Sequence, residues 1–366
     1  MKIVQVQTQA EAAGAQRVSD MVGEGLRARG HDVRTVFMYR KTEAYDHDAH
    51  ADFVLRERPS GLFGQLKASF GLIGYLRRTR PDAVISYQHY GNIFGTLGAR
   101  LAGASHVVAN QSGAPQTHGV MGLLSRIDRL MGTLGAYQSN VVNSAWTEAQ
   151  FETYPAAYKR RIRRIDHGVA GPQQAYDKAA ARTAFGLPEN AFLALSTGRL
   201  TVDKNHIALV GALCELPDLH VAIAGAGPER ETLVAFAREQ GVAGRLHLVG
   251  ELPPARIFEF LAAGDAYVFP SVNETFGLAV AEAAIAGLPV IANGLPVLRE
   301  VLSGDDGEPA ALFTESADAK SIATALAALA GQPDLAAKLA THGRGLARRY
   351  SPMTMCIGYE NLLLTR

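Results

Sequence analysis

Residues 269–293 read FPSVNETFGLAVAEAAIAGLPVIAN, and this stretch decides the fold prediction. An apolar strand is predicted over Ala266–Phe269, and a tight turn follows it. The run from Leu278 to Ala286 predicts a helix, because Gly287 and then a proline stop it. Val290–Ala292 predicts a second buried strand. The segment therefore directs the first turn of a helix beyond the carboxyl end of a strand.

The start of this helix suits an anionic ligand. The first backbone N–H groups of a helix have no partner within it, and the helix dipole favours negative charge there, so a phosphate fits. Gly277 lets the backbone approach a ligand closely. Glu274 precedes the helix and Glu282 lies about one turn into it, so both can accept hydrogen bonds from hydroxyl groups. A sugar carried on a diphosphate would use both kinds of group.

Composition limits the class of protein. The chain has 366 residues, which predicts two domains, and 48% of them are apolar, enough to fill two cores. The net charge of +1 gives no global field that would attract nucleic acid. Cys214 and Cys356 predict no disulfide framework. The first residues predict a strand rather than a signal peptide, and no apolar run is long enough to span a bilayer. We therefore expect a cytoplasmic protein.

Strands alternate with helices along the whole chain, which predicts an α/β protein with parallel sheets. In the first half, a loop is predicted from Thr8 to Ala15 and a helix from Gln16 to Arg29. The polar segment Gly168–Ala181 predicts a linker between domains. The predicted strands of the first half are Lys2–Val6, His31–Met38, Asp82–Tyr87, His106–Asn110, Ser139–Asn143 and Ile165–Asp166. The predicted divisions are residues 1–167, residues 168–350 and a last helix, residues 351–366; the family resemblance described below implies that this helix returns to the first domain.

A second motif follows the strand Phe192–Ser196. It reads TGRLTVDKN over residues 197–205, so Arg199 and Lys204 lie at the carboxyl end of a strand, where ligands of parallel sheets bind. Arginine binds phosphate oxygens in bidentate fashion, and lysine adds a second positive charge. This loop therefore indicates a diphosphate site.

The two motifs together resemble retaining glycosyltransferases of the GT-B fold, in family 4 of the sugar-transferase classification. The family signature is a Glu, seven residues and a second Glu, set in P-S-x-x-E-x-F-G-L-x-x-x-E-A. The matching positions here are Pro270, Ser271, Glu274, Phe276, Gly277, Leu278, Glu282 and Ala283. The resemblance covers nearly the whole chain, strongly from Gly198 to Asn293 and weakly before Ser144.

The resemblance implies two Rossmann-like domains whose sheets face each other across a cleft, with the nucleotide-diphosphate sugar, a UDP- or GDP-sugar, on the second domain. It implies transfer of a hexose-type sugar, with retained configuration, to a glycan or lipid-linked acceptor, without a metal or other cofactor. The implied catalytic residues are Arg199, Lys204, Glu274 and His118. The implied donor-binding residues are Gly14, Gly198, Glu251, Thr275, Phe276, Gly277, Leu278 and Glu282.

The first half departs from the family pattern in two places. The first loop of relatives carries two adjacent glycines, whereas residues 13–15 read Ala-Gly-Ala here, so only Gly14 matches. Relatives place a histidine directly after the strand that corresponds to His106–Asn110. That position has no histidine here, and His118 is the candidate to replace it from a longer loop.

Three further features have competing interpretations. Residues 45–52 contain an Asp-x-Asp, Asp46-His47-Asp48, that could hold a divalent metal, but a solvated loop that ends at Asp52 is the favoured interpretation of this segment. Residues 60–80 carry an apolar stripe that includes Leu62 and Leu66, with a basic end. They predict either a helix packed on the first sheet or one that contacts the inner face of the cell membrane. The basic run KRRIRR at 159–164 predicts a solvated face first and a phosphate-rich or membrane partner second.

Three alternatives to the transferase function stay open at this point. One is a related GT-B nucleotide-sugar epimerase, which would need no acceptor. Another is a phosphorylase, which would release sugar phosphate from a glycan. The third is a nucleotide-sugar-binding protein with a degenerate first-domain site.

Overall fold

A computed structural model of the chain describes residues 1–11, 13–111, 113–115 and 118–365, without the side chain of Leu62. Residues 112, 116 and 117 of the predicted loop before His118 therefore lie outside the described part. Contacts divide the chain into two compact units. Unit 1 is Met1–Gly168 with Ser351–Arg366, and unit 2 is Val169–Tyr350. In the described ranges, no helix has the length and apolar character needed to cross a membrane.

Unit 1 contains a seven-stranded sheet in the order β3-β2-β1-β4-β5-β6-β7, and every neighbouring pair is parallel. The strands are β1 (Lys2–Ala10), β2 (Asp32–Arg40), β3 (Ala51–Leu55), β4 (Ala83–Tyr87), β5 (His106–Gln111), β6 (Ser139–Val142) and β7 (Ile162–Arg164). The helices before the linker are α1 (Gly14–Ala28), α2 (Gly61–Thr79), α3 (Gln88–Ala102), α4 (Gly119–Leu134), α5 (Ala145–Ala149) and α6 (Ala156–Lys159). The last helix of the chain, α15 (Pro352–Leu364), also belongs to unit 1.

The strand order places the helices of unit 1 on two faces of the sheet. Right-handed crossovers put α1 on one face and α2, α3 and α4 on the other. The contacts agree, because α3 packs against both α2 and α4, whereas α15 packs against α1. The α15 helix is held there by Glu360, which accepts hydrogen bonds from Arg29 and pairs with His31.

Three local predictions for unit 1 were wrong. The first strand runs on to Ala10, so the predicted loop over Thr8–Ala15 is strand at one end and the first turn of α1 at the other. Polar Gln7 and Gln9 interrupt the apolar pattern from which the strand was predicted, yet they pair in register with Phe37 and Tyr39 of β2.

The other two errors concern edge elements. The last strand is Ile162–Arg164, within the basic run rather than after it, because an edge strand tolerates charged side chains. The loop predicted to end at Asp52 instead ends where β3 begins, at Ala51.

Unit 2 contains a six-stranded sheet in the order β10-β9-β8-β11-β12-β13, again with parallel neighbours throughout. Its strands are β8 (Phe192–Thr197), β9 (Leu219–Ala224), β10 (Leu246–Gly250), β11 (Ala266–Phe269), β12 (Val290–Asn293) and β13 (Ala311–Thr314). Its helices are α7 (Lys178–Ala184), α8 (His206–Glu215), α9 (Arg230–Glu239), α10 (Ile257–Ala262), α11 (Leu278–Ile285), α12 (Pro296–Val301), α13 (Ala319–Gly331) and α14 (Pro333–Arg349). Short 3₁₀ turns cover Val202–Lys204, Ala243–Arg245 and Pro254–Arg256.

Both sheets reverse their strand order once. The reversal lies between β1 and β4 in unit 1 and between β8 and β11 in unit 2. In open parallel sheets, ligands bind in the crevice beyond the strands at such a switch point. The predicted α/β class, with two Rossmann-like domains built on parallel sheets, is therefore confirmed.

Candidate functional site

The two sequence motifs meet at the switch point of unit 2. Strand β8 leads into Gly198–Asn205 and strand β11 leads into Pro270–Gly277. The Val272 N–H donates to the Asp203 carbonyl at 2.9 Å, which ties the two loops together. Asn205 lies in the left-handed region (φ +53°), and its side-chain amide donates to the Pro270 carbonyl at 3.3 Å and the Ala317 carbonyl at 2.7 Å. The backbone thus holds both motifs in one place.

Lys204 and Glu274 form an ion pair at the centre of this junction. Both side chains are largely buried, at 17% and 10% exposure. The Ser271 hydroxyl lies 2.9 Å from Oε1 of Glu274 and 3.1 Å from the Asp203 carbonyl, so it orients the carboxylate. The Lys204 ammonium also lies over the Phe269 ring. A positive charge and a hydroxyl acceptor therefore stand side by side.

The α11 helix begins at this junction. Its N-cap is Gly277, whose φ of +89° is left-handed, and a glycine has no side chain with which to cap the first-turn amides. A Cβ at Gly277 would lie 2.9 Å from Cδ2 of Leu298, so glycine is needed for space as well as for conformation. Phe276 is buried edge-on against Tyr350 and anchors the turn, while Thr275 and Leu278 are half-buried. The first turn offers backbone donors to an anion.

Glu282 lies one turn into α11, as predicted, and is buried. Together with Glu274 it raises the pKa of Tyr267, although burial is the larger cause. The Tyr267 hydroxyl lies 2.8 Å from the Thr197 hydroxyl and joins β11 to β8. No local pattern in the sequence indicates Tyr267, because only the strand order shows that β11 and β8 are neighbours.

Gly198 and the exposed Arg199 lie where the loops that follow β8 and β9 meet. A Cβ at Gly225 would lie 1.8 Å from the Gly198 carbonyl oxygen, so the two loops pack backbone to backbone. The Gly225 N–H also donates to the Gly250 carbonyl at 2.7 Å. Exposed Glu251 follows Gly250 at the same edge of the sheet, two strands from β8.

Two neighbours of Lys204 have shifted pKa values. Burial alone would raise the pKa of Asp203, but the Thr201 hydroxyl and the positive Lys204 and Arg199 outweigh it and hold that pKa below its ordinary value. Burial, assisted by Lys204, lowers the pKa of His206 to about 4. His206 is therefore neutral at pH 7, and its buried Nδ1 has no hydrogen-bond partner among the described residues. At pH 7, His206 therefore adds no positive charge beside Lys204.

The switch point of unit 1 also gathers polar groups. Gln88 follows β4 in the left-handed region (φ +64°), and half-buried His89 comes next, with a pKa lowered by burial. Strand β1 supplies Gln7 beside them, and Gln16 comes from α1. Gln7 and Gln16 are fully buried, and the side-chain oxygen of each has no partner among the described residues. No motif in the sequence indicates His89, which the neighbouring order of β1 and β4 places at the switch point.

Two predicted residues of unit 1 lie at the starts of helices. Gly14 is the exposed first residue of α1 rather than part of a loop. His118 is exposed at the N-cap of α4, and its carbonyl accepts the Gly122 N–H at 2.9 Å. Both stand at the carboxyl edge of the unit 1 sheet.

The carboxylates of the Asp-x-Asp segment have other partners. Asp46 pairs with Arg40, and Asp48 accepts the His50 N–H at 2.8 Å. In the described part of the chain, no group of three or more His, Cys, Asp or Glu side chains is placed to hold a metal ion.

Comparison with known proteins assigns the chain to a family. The family model described as glycosyl transferases group 1 matches residues 177–345, and the one described as glycosyl transferase 4-like domain matches residues 13–166. The first covers both motifs of unit 2, and the second covers strands β2 to β7 of unit 1.

Curated relatives match part of the chain. The D-inositol 3-phosphate glycosyltransferase of Xylanimonas cellulosilytica is 32% identical over 49% of this chain and 43% of its own. The lipopolysaccharide core biosynthesis glycosyltransferase LpsE of Rhizobium meliloti is 29% identical over 57% of this chain and 59% of its own. The chain thus spans about half the length of these relatives.

A solved structure shows the same fold over the full length. Anabaena HepE, in complex with UDP and glucose, superposes with a TM-score of 0.85 at 16% identity and covers 100% of both chains. The chain therefore belongs to the group 1 glycosyltransferases and has the GT-B fold.

Proposed function

We propose that this protein transfers a hexose-type sugar from a nucleotide-diphosphate sugar to a glycan or lipid-linked acceptor, with retention of configuration. The observation that supports this most is the junction of the β8 and β11 loops, where Lys204 contacts Glu274 beside the uncapped start of α11. Phosphate and sugar hydroxyl groups need these two kinds of partner, and they need them a few ångströms apart. The HepE complex with UDP and glucose is consistent with such a ligand.

In this proposal, catalysis is electrostatic stabilisation of a leaving group. Negative charge grows on the diphosphate as the glycosidic bond breaks. Arg199, Lys204 and the first-turn amides of α11 would stabilise that charge. Glu274 would hold hydroxyls of the transferred sugar, and Glu282 those of the ribose. The proton of the attacking acceptor hydroxyl would pass to a diphosphate oxygen, so neither a metal nor a separate base is required.

We assign the acceptor side to the switch point of unit 1. Its histidine candidates are His118, from the sequence pattern, and His89, from the fold. The buried amide oxygens of Gln7 and Gln16 are further hydroxyl-binding groups at this edge. The relatives named for inositol phosphate and for lipopolysaccharide core suggest an acceptor that carries sugars or a polyol in envelope synthesis. A position at the inner face of the cell membrane belongs to the same proposal.

The first experiment is a thermal-shift panel of UDP-, GDP-, ADP- and dTDP-sugars on the purified protein. A ligand that binds only the folded state raises its melting temperature. We expect one nucleotide class to do so, and the same donor to be hydrolysed slowly without acceptor. The proposal fails if no nucleotide sugar shifts the melting temperature.

The second experiment tests the diphosphate assignment. Arg199→Ala should lower kcat by roughly 100- to 1,000-fold, as loss of one donor from a preorganised charge-stabilising site does. Arg199 is exposed, so this variant should fold, and Arg348→Ala in α14 is the matched exposed control. An unchanged kcat in Arg199→Ala would show that the diphosphate does not bind at this loop. A protein that binds a donor firmly yet neither transfers nor hydrolyses it would be the binding protein considered above.

A further inference from the structure

The outer surface of α2, α3 and α4 is unusually apolar. The three helices form one layer, with α3 packed between the other two. Exposure reaches 82% for Phe63 and 75% for Leu134. The exposed large apolar side chains of this layer are Phe63, Leu66, Phe70, Leu97, Leu101, Val120, Met121, Leu123, Leu130 and Leu134. Single exposed leucines are ordinary, but a concentration in one layer marks an interaction surface.

The spacing of these residues makes the surface continuous. Phe63, Leu66 and Phe70 recur at three and four residues along α2, so they lie on one side of that helix. In α4, Leu123, Leu130 and Leu134 recur at seven and four residues, which again is one side. The buried faces of both helices carry different residues, such as Leu72, Leu76 and Leu124. Each helix therefore has an inner and an outer apolar stripe.

The exposed charges of this layer are all positive. The three helices contain a single acidic residue, Asp128, and it is buried against Tyr158 and Gln111. All their exposed charged side chains are cationic: Lys67, Arg77, Arg78, Arg100, Arg126 and Arg129. The whole chain is almost neutral, with 36 basic and 35 acidic residues, so this segregation is local.

We propose that this surface, the apolar–basic face of α2, α3 and α4, docks on an anionic lipid bilayer. Apolar side chains that enter the headgroup region, flanked by arginine and lysine, are what such a surface binds. A second copy of the chain fits less well, because a two-fold contact would place the same positive charges against each other.

The face lies next to the acceptor edge of unit 1. Each of the three helices runs back from the carboxyl edge of the parallel sheet, so its first turn starts at that edge. Phe63 and Val120 are therefore on the side of the unit where β1 and β4 end. A bilayer on this face would present headgroups to the switch point, and this last step rests on the proposed function.

Vesicle binding of the full chain tests the docking. We expect sedimentation with vesicles of phosphatidylcholine and phosphatidylglycerol, weakened by salt, and little with phosphatidylcholine alone. The double change Phe63→Ser and Leu134→Ser should weaken binding at least roughly ten-fold. Its control, Met353→Ser with Leu364→Ser, removes exposed apolar groups from α15, on the other face of the sheet, and should bind like wild type. The double change Arg77→Gln and Arg126→Gln should weaken vesicle binding roughly 25-fold, on anionic vesicles only. The change Arg348→Gln should leave vesicle binding unchanged.

Several results would overturn the docking. Equal binding to neutral and anionic vesicles would do so, as would unchanged binding of the Phe63→Ser, Leu134→Ser protein. A concentration-dependent dimer in sedimentation velocity, abolished by that double change, would make a second copy the occupant. The donor-induced thermal shift is measured on the same variants, without vesicles. A variant that keeps the donor-induced thermal shift but no longer binds vesicles supports the docking. If the wild-type protein shows no donor-induced shift, that result concerns the donor proposal alone.

Discussion

The contact between Lys204 and Glu274 gives the candidate site its polarity at the scale of single residues. A lone lysine there would be a phosphate partner only, and a lone glutamate would repel a diphosphate. Paired and largely buried, the two groups place a positive charge and a hydroxyl acceptor side by side. The sequence motif predicted both residues, but their contact follows from the switch point, which no local pattern contains.

The two histidines of unit 1 give the first prediction. His89 is half-buried at the switch point, whereas His118 is exposed at the start of α4. We predict that His89→Ala lowers kcat about 100-fold, the low end for a group that acts on the reacting centre, and that His118→Ala changes it less than ten-fold. Steady-state transfer assays on variants of equal melting temperature decide between them. If His118→Ala lowered kcat more than His89→Ala did, His118 would be the histidine that acts on the reacting centre.

The second prediction concerns the pH dependence of stability. The folded-state pKa of His206, about 4, is below the ordinary 6.5. Below pH 6.5, His206 therefore binds a proton in the unfolded chain but not in the folded chain. The free energy of unfolding consequently falls as the pH drops towards 4. Between pH 7 and 5 this one group should cost about 2 kcal/mol, or about 4–8 °C in melting temperature.

His206→Asn tests this directly. It should remove most of the contribution and flatten the profile of melting temperature against pH. His50→Asn, at an exposed position of unit 1, should leave the profile as it is. Profiles of equal slope for wild type and His206→Asn would contradict the assignment.

At the scale of elements, the strand–turn–helix unit around α11 was the most predictable part of the molecule. Apolar runs and helix stops are local signals, so Ala266–Phe269 was predicted to the residue and α11 to within one residue of its end. Strand β1 was less predictable because Gln7 and Gln9 break its apolar pattern. Buried Tyr267 and half-buried His89 could not be placed at all, since their positions depend on which strands become neighbours.

The third prediction tests the start of α11. Gly277→Ala places a Cβ 2.9 Å from Leu298 and 3.0 Å from Val280, in a left-handed residue. Backbone strain and overpacking together should cost about 2–4 kcal/mol. Donor affinity should fall as well, because the first-turn amides shift. Gly345→Ala in α14 is the control, since it meets no atom within 4 Å and should leave stability equal or higher by about 1 kcal/mol. Equal donor affinity in Gly277→Ala, by titration calorimetry, would argue against a phosphate at this turn.

At the scale of the whole molecule, sequence order and structural unit differ at one element. The α15 helix follows unit 2 in the chain but belongs to unit 1. Its buried Cys356 packs against Gly25 of α1, and the hydroxyl of its buried Tyr359 bonds to Asn110 of β5. Alternating strands and helices predicted two parallel sheets, whereas the expectation that the last helix returns to the first domain came from the family resemblance and not from this alternation.

The fourth prediction uses this arrangement. Tyr359→Ala should destabilise unit 1 by about 3–5 kcal/mol, the cost of removing a buried aromatic side chain. Hydrogen exchange should then quicken in β1 and α1 and stay slow in β8 and β9. Leu339→Ala in α14, at 4% exposure, should do the reverse. Uniform loss of protection in both units from either change would show that they unfold together.

The return of α15 has a consequence for synthesis on the ribosome. When Gly168 has been translated, α1 still lacks the helix that covers Gly25, where the Cys356 side chain packs. At about 5–20 residues per second, the whole of Val169–Tyr350 must be made before α15 exists, a delay on the order of ten seconds or more. Unit 2, whose residues are contiguous, can complete its fold during translation. Until α15 has been made, nascent unit 1 exposes an apolar surface, and this interval is when a chaperone would be most useful to it.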